Sequence, residues 1–370
     1  MKKIKILQVI GGLNRGGAET MLINLYRKLD KSKYDFVFLT YTKGQPEQDY
    51  EKEINATNGT IVKLEAKNLK NPILHYKDLY DVMTDDNYDC VHCHTLLNSG
   101  IVMKAAKKAG IPIRITHSHS CGNMKKETFV YKVYSSISHH FINKYSTNKI
   151  ACGQDAGEYL FGNNFDGIII NNGIDLERFQ PCASPHYEID YTLKNKDTLK
   201  IAAVGSFYKV KNHTFMISLA KYLKDHNIDF HMYFAGRGPL EEKIREQIHN
   251  NALDNYISLL GILENVNELL SSVDVVIMPS LYEGVPVSLI EAQACGVPAV
   301  ISKNISKEVD LNLGLIHFLD INENYKEWTD QLLYYKNLPN INKEDIIKRF
   351  NEKHYSISEN LETLTSIYNG

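Results

Sequence analysis

The chain has 370 residues, of which 43% are hydrophobic and 23% are charged, close to the average for globular proteins. This composition excludes a disordered, collagen-like or coiled-coil protein, and the length predicts two domains. The net charge of −2 excludes a polycation built for nucleic acid. No apolar run approaches the roughly 20 residues that span a bilayer. Six cysteines without a signal peptide predict reduced thiols in a cytoplasmic protein.

Short apolar runs alternate with longer amphipathic segments through the first half of the chain. Helices are predicted at 18–29, 72–83, 100–109 and 129–145, and strands at 3–10, 35–40, 60–64, 90–94, 111–117, 148–152 and 167–171. Strand–helix–strand alternation is typical of a parallel sheet with helices on both faces. We therefore predict a first α/β domain over residues 1–180.

The alternation stops at residues 181–199, which hold two prolines and no periodicity, and this segment is predicted to be a linker. Alternation then resumes, with helices predicted at 213–225, 239–250, 265–271 and 286–294 and strands at 199–206, 229–236, 256–261, 274–280 and 298–302. We predict a second α/β domain over 181–345. Apolar residues at helical spacing between 352 and 368 predict a closing helix, to which we assign residues 346–370.

The first predicted turn, Gly11 to Glu19 (GGLNRGGAE), lies between a strand and a helix. Its four glycines let backbone N–H groups approach a ligand, and a helix N-terminus favours an anion. The turn therefore predicts contact with a phosphate or a sugar, a merely flexible turn being the alternative. Asn14 lies within it and is a candidate for contact with an acceptor.

Two histidines, His117 and His119, stand where the predicted strand 111–117 ends. Ligands of open α/β sheets bind outside the carboxyl ends of strands, and residues two apart share one face. This placement favours a functional role over a structural one. Asn172 follows the strand at 167–171 and precedes the linker, so it would border an interdomain cleft.

The segment from Cys90 to His94 (CVHCH) matches the haem-attachment pattern. Haem attachment of this kind requires export, for which there is no signal. In a strand, Cys90 and Cys93 would face opposite sides, and no second ligand pair at zinc-like spacing is apparent. We therefore predict no metal site.

Three turns of the second half carry residues suited to a nucleotide. Lys211 opens a helix after the first strand, where charge and helix dipole both favour a phosphate. Gly236 begins the turn after the next strand. Glu283 lies in a strand-to-helix turn and Glu291 about two helical turns further on, where a carboxylate can accept two hydrogen bonds from a vicinal diol such as a ribose. Two surface glutamates are the alternative.

These motifs, in this order, resemble the retaining glycosyltransferases of family 4, which have two Rossmann-like domains facing a cleft, the GT-B fold. The resemblance runs from Gly11 to about Ser302. Its most specific elements are the Glu-x7-Glu spacing from Glu283 to Glu291 and the segment Asn172 to Phe179 (NGIDLERF). The glycine-rich turn and His-Ser-His resemble the branch that builds capsular polysaccharides and exopolysaccharides. The resemblance implies that the closing helix crosses back onto the first domain.

The resemblance implies transfer of a sugar from a nucleotide-sugar, a UDP-sugar being the commonest, to a glycan acceptor linked to polyprenyl diphosphate. It implies catalytic roles for His117, Lys211 and Glu283. Acceptor or cleft contacts fall to Asn14, His119 and Asn172. The donor-binding residues would be Gly16, Gly17, Gly205, Ser206, Lys211, Gly236, Glu283, Gly284, Val285 and Glu291. One position departs from the family: Ser206 stands where an Arg is usual, and Lys209 could supply the missing charge.

The resemblance also implies catalysis without a metal or another cofactor, since the sequence holds no Asp-x-Asp. Two alternatives remain open: a nucleotide-sugar 2-epimerase of the same fold and a non-enzymatic sugar-binding protein. A dehydrogenase is the weakest rival, because GxGxxG is absent.

A basic and aromatic stretch at residues 111–150 predicts peripheral contact with an anionic membrane. The alternative is that its aromatic residues fill the core while its lysines point to water. The basic residues are Arg114, Lys125, Lys126, Lys132, Lys144 and Lys149 against the single acid Glu127, interleaved with Phe129, Tyr131, Val133, Tyr134, Ile137, Phe141 and Ile142.

Overall fold

The computed structural model describes residues 2–120, 128–181, 197–322, 324–339 and 341–370. Lys125, Lys126 and Glu127 of the basic stretch, and most of the predicted linker, lie outside these ranges. The chain forms two compact units, one of Met1–Gly173 with His354–Gly370 and one of Ile174–Lys353.

The first unit is built on a seven-stranded parallel sheet with the strand order β3-β2-β1-β4-β5-β6-β7. The strands are β1 Ile4–Val9, β2 Tyr34–Thr40, β3 Thr60–Lys63, β4 Cys90–Cys93, β5 Ile113–Ser118, β6 Asn148–Ala151 and β7 Ile168–Ile169. Its helices are α1 Gly17–Lys28, α2 Glu51–Ala56, α3 Pro72–Asp85, α4 Ser99–Lys108, α5 Phe129–Tyr145 and α6 Gln154–Phe161.

Alternating side chains of this sheet enter two separate cores, one on each face. Cys90 belongs to the core on the α1 face and Cys93 to the core against α3 and α4, as the strand pattern predicted. The cysteine pair therefore cannot act as one ligand set.

The second unit holds a six-stranded parallel sheet with the order β10-β9-β8-β11-β12-β13. Its strands are β8 Leu199–Val204, β9 Phe230–Ala235, β10 Ile257–Gly261, β11 Val275–Met278, β12 Ala299–Ser302 and β13 Ile316–Leu319. Its helices are α7 His213–Asp225, α8 Glu241–Asn250, α9 Val266–Leu270, α10 Val287–Ala294, α11 Tyr325–Lys336 and α12 Lys343–Glu352.

The chain ends in helix α13, Ile357–Asn369, which packs in the first unit against α1 and β1. Its buried side chains include Leu364 and Tyr368, which enter the same core as Cys90. The predicted crossing of the closing helix back to the first domain is thereby confirmed. The helix begins at Ile357 rather than at 352, because α12 before it ends at Glu352 and belongs to the second unit.

The units divide at Gly173/Ile174 and Lys353/His354 rather than at the predicted 180/181 and 345/346. Asn360 Nδ2 in α13 donates to the Asn171 carbonyl at 2.7 Å, whereas Arg178 donates to the Glu264 carbonyl in the second unit. These contacts assign the two sides of the Gly173 junction to different units.

The α/β class and two-sheet organisation are confirmed, and each predicted strand has a counterpart in the structure. Strand β13 and the helices α2, α6, α11 and α12 were not predicted from the sequence. The predicted helix 239–250 begins at Glu241 instead, so Pro239 precedes it. No helix within the described ranges is long and apolar enough to cross a bilayer.

Helices α4 and α5 approach each other closely at Gly100, where a Cβ atom would lie 2.8 Å from the Ser138 carbonyl oxygen and 2.9 Å from its Cα. Gly100→Ala should therefore destabilise the protein by roughly 1–3 kcal/mol, because backbone cannot give way as a flexible side chain can. Gly11→Ala is the control, since a Cβ there meets nothing within 4 Å. Urea unfolding measures both, and equal midpoints for the two variants would contradict the prediction.

Candidate active site

Four histidines, His92, His94, His117 and His119, form a cluster at the carboxyl ends of β4 and β5 in the first unit. Parallel pairing sets Gln8 of β1 beside His92, and His92 beside Ile115. Since residues two apart share a face of a sheet, both His-x-His pairs project on one side. The ring centroids of His92 and His94 lie 4.2 Å apart, and those of His117 and His119 lie 4.0 Å apart.

Hydrogen bonds link the cluster to Gln8 and Tyr368. His92 Nε2 lies 3.2 Å from His117 Nδ1, and His92 Nδ1 lies 2.8 Å from the Tyr368 hydroxyl. His94 Nδ1 lies 2.8 Å from His119 Nε2, and His94 Nε2 lies 3.0 Å from Gln8 Oε1. The amide nitrogen of Gln8 donates to the Tyr368 hydroxyl at 3.3 Å.

His92, His94 and His117 are buried and His119 is half-buried, and all four imidazoles are held neutral. Burial lowers the pKa of His92 to about 3 and that of His119 to about 4. Burial, followed by the repulsion of neighbouring histidines, holds the pKa values of His94 and His117 well below their ordinary value. A neutral imidazole has one donor nitrogen and one acceptor nitrogen, so each histidine can accept a hydrogen bond from one neighbour and donate one to the next.

Three polar atoms at the cluster have no hydrogen-bond partner among the described residues: His117 Nε2, His119 Nδ1 and Asn172 Oδ1. The Asn172 side chain lies close enough to raise the pKa of His119, against the larger lowering by burial. His119 Nδ1 and Asn172 Oδ1 nevertheless make no hydrogen bond within the described part of the chain. Buried polar atoms without partners cost stability, so this group of atoms is suited to a polar ligand such as a sugar.

Three members of the cluster could hold a metal by distance alone, because one nitrogen from each of His92, His94 and His117 lies within 4.8 Å of the others. From the sequence, Cys90 and Cys93 were weighed as a ligand pair and no metal site was predicted; His92, His94 and His117 were not considered as a set of possible ligands. The facing nitrogens of His92 and His117 have hydrogen-bond geometry, however, whereas ligand nitrogens converge on an ion at about 2.0–2.1 Å. The distances therefore indicate hydrogen bonds between the imidazoles rather than coordination of a common metal ion.

The glycine-rich turn is held against the segment that precedes α2. The Leu13 amide donates to Gln48 Oε1, the Arg15 amide donates to Asp49 Oδ2 at 2.9 Å, and Asn14 Oδ1 accepts from the Asp49 amide at 3.3 Å. Asn14 therefore has a structural partner in addition to the ligand contact predicted for it.

At the N-terminus of α1, Gly16 is the N-cap residue, and the Glu19 carboxylate lies beside it. Burial raises the pKa of Glu19, against a smaller lowering by its own backbone N–H. An anion arriving at Gly16 and Gly17 would meet this carboxylate, which therefore has to move or bind a proton.

In the second unit, Gly236 permits close contact between the turns after β8 and β9. A Cβ at Gly236 would lie 2.0 Å from the Gly205 carbonyl oxygen, and its φ of +148° is one that other residues rarely adopt. The Phe207 amide donates to the Arg237 carbonyl at 2.9 Å, which holds the two turns together. Both glycines thus shape this edge of the sheet.

Lys211 and Glu283 form an ion pair beside Gly205, with 2.8 Å between Nζ and Oε1. Both side chains are largely shielded from water, and a Cβ at Gly205 would lie 3.0 Å from Lys211 Cε. Lys211 lies in a short 3-10 turn just before α7 rather than inside the helix. The structure therefore brings together three residues that the sequence predicted separately.

Glu291 is buried in α10, whose N-terminus lies at the same edge of the sheet. Ser288 Oγ in the first turn of α10 donates to the Val204 carbonyl at 3.3 Å, at the end of β8. Gly284 is exposed, and Val285 is half-buried in the loop before this helix. Their backbone N–H groups thus belong to the approach to a helix N-terminus, where anions are favoured.

Ser206 and Lys209 are both exposed. The sequence reasoning missed Arg237, an exposed residue whose carbonyl accepts from Phe207, next to Ser206. Arg237 lies on the turn that contacts the one carrying Ser206, and it is a second candidate for the positive charge that the family's usual Arg would supply. Arg237 directly follows Gly236, a predicted donor-binding residue, and this position in the sequence could have indicated it as a candidate.

Comparison with known proteins identifies the class to which these two units belong. Residues 15–178 match the model of Glycosyltransferase Family 4, and residues 188–337 match that of Glycosyl transferases group 1. EpsF of Bacillus subtilis (strain 168), which carries the name of a glycosyltransferase, is 36% identical over 99% of this chain and 96% of its own length. The chain therefore belongs to glycosyltransferase family 4.

Two other relatives carry more specific names. CapH of Staphylococcus aureus, named a capsular polysaccharide biosynthesis glycosyltransferase, is 25% identical over 84% of both chains. An Escherichia coli UDP-Gal:alpha-D-GlcNAc-diphosphoundecaprenol alpha-1,3-galactosyltransferase is 27% identical over 60% of each. Among solved structures, Anabaena HepE in complex with UDP and glucose matches with a TM-score of 0.70 at 16% identity, over 98% of this chain and 95% of HepE. This likeness confirms the GT-B fold.

The histidine cluster makes stability depend on pH. Since the folded-state pKa values of His92 and His119 lie below the ordinary 6.5, the unfolded chain binds protons that the folded protein excludes. Stability should therefore fall as pH drops from about 6.5 towards 4, by up to about 1.4 kcal/mol per pH unit for each such histidine. Urea unfolding at pH 7.5, 6.0 and 5.0 measures this, and a free energy of unfolding that rises towards pH 5.0 would contradict it.

Proposed function

We propose that this protein transfers a sugar from a UDP-sugar to a polyprenyl-diphosphate-linked glycan in capsule or exopolysaccharide synthesis, with retention of configuration and without a metal. The observation that carries the proposal is the Lys211–Glu283 ion pair, which lies beside Gly205 at the carboxyl edge of the second sheet. Ligands of open α/β sheets bind at this edge.

In the proposed reaction this site has to stabilise the diphosphate that leaves. Negative charge grows on it as the bond to the sugar breaks, and fixed donors that meet this charge supply most of the catalysis. Lys211 and the backbone N–H groups of Gly284 and Val285 would meet it, while Glu283 orients Lys211 and contacts the sugar. In the retaining mechanism implied for the family, the acceptor hydroxyl attacks from the leaving-group side and a phosphate oxygen takes its proton.

The remaining predicted residues take roles that fit their positions. Glu291 would accept hydrogen bonds from the ribose hydroxyls, and Gly236, Gly205 and Ser206 would border the diphosphate. His117 would face the sugar, with His119, Asn172 and Asn14 towards the acceptor. The E. coli relative, whose name includes UDP-Gal and a diphosphoundecaprenol acceptor, and HepE with UDP and glucose support the choice of substrates.

Turnover should not require a divalent ion, because Lys211 and helix N-termini can balance the diphosphate charge. The measurement follows sugar transfer, or donor hydrolysis, from a panel of UDP-sugars with and without excess chelator. Unchanged rates are expected. Complete loss that magnesium or manganese restores would contradict metal independence, and an epimer formed from the donor alone would identify a 2-epimerase instead.

Glu291→Gln should weaken binding of free UDP, whereas Lys211→Met should mainly lower kcat. Ribose contacts exist in the ground state and the transition state alike, while diphosphate charge grows only during reaction. Each loss should amount to about one to two orders of magnitude, since a hydrogen bond to a charged group is worth roughly 1.5–3 kcal/mol. Calorimetry with UDP and steady-state kinetics give the two readouts.

Two surface variants control for the loss of charge itself. Lys221→Met removes a lysine whose partner is the exposed Asp225, and Glu242→Gln removes an exposed carboxylate of α8. Both should leave UDP affinity and kcat unchanged. If Glu291→Gln leaves UDP affinity at the level of Glu242→Gln, the ribose assignment is wrong.

An exposed apolar surface on the first unit supports contact with a membrane. Phe129 and Val130, at the start of α5, are 81% and 76% exposed, and Val133, Tyr134 and Ile137 continue this strip along the helix. The core alternative holds for Ile142, which is buried, and for Tyr131, which is half-buried and packs against a core cluster. Phe141 is half-buried and lies under Lys104. An apolar helix face open to water is typical of an interfacial helix.

A second apolar group lies at the start of α3, where Ile73 is 81% exposed beside Leu74 and Leu69. Both helices follow strands of one parallel sheet, so both begin at its carboxyl edge, the edge that holds the histidine cluster. Lys67, Lys70 and Lys132 are exposed near these groups and would attract anionic headgroups by about 1 kcal/mol each. An acceptor anchored in lipid would thus reach the site from the surface to which the protein binds.

Phe129→Ser combined with Val133→Ser should reduce sedimentation with vesicles containing anionic lipid, because the inserted apolar area is lost. Tyr334→Ser is the control, since Tyr334 is 59% exposed on the second unit. Binding by the unaltered protein should fall with salt, as screening acts over about 8 Å at physiological ionic strength. Equal sedimentation with neutral and anionic vesicles, or no effect of the double variant, would contradict membrane contact.

A further inference from the structure

The histidine cluster is hydrogen-bonded to two buried groups that lie outside the predicted site, the amide of Gln8 and the hydroxyl of Tyr368. Gln8 lies one residue before the carboxyl end of β1 and Tyr368 lies in the last helix, and both are almost completely buried. No sequence motif marks either residue. Their hydrogen bonds fix where the protons of the cluster lie.

The direction of the first chain follows from Tyr368. Its hydroxyl accepts from the Gln8 amide nitrogen, which can only donate, and its own proton has a single acceptor among the described residues, His92 Nδ1 at 2.8 Å. Burial raises the pKa of Tyr368, so the proton stays on this hydroxyl. His92 is neutral, so its remaining proton is on Nε2 and donates to His117 Nδ1 at 3.2 Å.

The direction of the second chain follows from the amide oxygen of Gln8. Gln8 Oε1 can only accept, so His94 carries its proton on Nε2, which donates to that oxygen at 3.0 Å. His94 Nδ1 is then an acceptor, and His119 Nε2 donates to it at 2.8 Å. The first chain begins at the Gln8 amide nitrogen, which donates, and the second ends at the Gln8 amide oxygen, which accepts, so the two assignments are mutually consistent.

We propose that Gln8 and Tyr368 are positioning residues which, through His92, hold neutral His117 as the tautomer that carries its proton on Nε2. That nitrogen is buried and has no partner among the described residues, so it presents an N–H donor to an oxygen of the bound sugar. With its proton there, His117 donates a hydrogen bond from Nε2 and does not act as a general base at that atom. The role of the sugar rests on the proposed function, whereas the tautomer does not.

The tautomer is measured without substrate on protein labelled with ¹⁵N-histidine, in which protonated and unprotonated ring nitrogens have well-separated shifts. His117→Gln identifies the His117 signals by their loss. The expected result is a single neutral tautomer protonated at Nε2 near pH 7.5. Protonation at Nδ1, or an even mixture of tautomers, would overturn the proposal even if the protein is an active transferase.

Tyr368→Phe removes the hydroxyl and keeps the ring that packs against Phe36. His92 then loses the donor at Nδ1, so His117 should become a mixture of tautomers and kcat for donor turnover should fall roughly tenfold, with little change in KM. The matched control is Tyr34→Phe, which removes a hydroxyl that donates to Asn369 Oδ1 of the same helix at 3.1 Å, outside both chains. Equal effects of the two variants on the His117 signals would overturn the positioning role.

A metal site is the competing outcome for the same three imidazoles. Zn²⁺ titrated into the labelled protein at equimolar concentration should leave the His92, His94 and His117 signals in place. Stoichiometric loss or shift of all three together would show that the cluster binds a metal and would overturn the proton assignment.

Discussion

Parallel pairing is the constraint on which the rest of this structure depends. In each unit all strands run the same way, so every carboxyl end and every loop that follows it lies along one edge of the sheet. Residues far apart in sequence are thereby neighbours: Gln8, His92 and His117 in one unit, and Gly205 and Gly236 in the other. The direction of the strands thus assembles both groups of predicted site residues.

The carboxyl edges of the two sheets differ in their electrostatic environment. The first is a buried, uncharged group of imidazoles, in which burial suppresses protonation and hydrogen bonds replace charge. The second carries a partly shielded ion pair at a helix N-terminus, where an anion is favoured. The proposed reaction would use both environments, since a sugar is recognised by directional hydrogen bonds and a diphosphate by positive charge.

The last helix, α13, contributes both to the core of the first unit and to the hydrogen bonds of the histidine cluster. Its apolar side chains close the core beneath β1, and Tyr368 near its end supplies the hydroxyl on which the proton order of the first unit depends. The same packing that covers the sheet therefore also orients His92. Removal of this helix would expose an apolar face and leave the histidine cluster without its donor, so stability and site geometry are coupled here.

The sequence by itself determined the class of fold, nearly all of the strands and the positions of His117, Lys211, Glu283 and Glu291, because apolar periodicity and glycine-rich turns are local signals. It did not reveal α2, α6, α11, α12 or β13. With six and four residues, α2 and β13 are too short for a periodic pattern, whereas α12 carries one in its own sequence, since Ile346 and Phe350 lie four apart on its buried face. The alternation of β4 was enough to separate Cys90 from Cys93, but not to pair His92 with His117, since that requires knowing that β4 and β5 are adjacent. Only the tertiary structure decided the ion pair of Lys211 with Glu283 and the roles of Gln8 and Tyr368, because these contacts join segments whose separation along the chain carries no periodic signal.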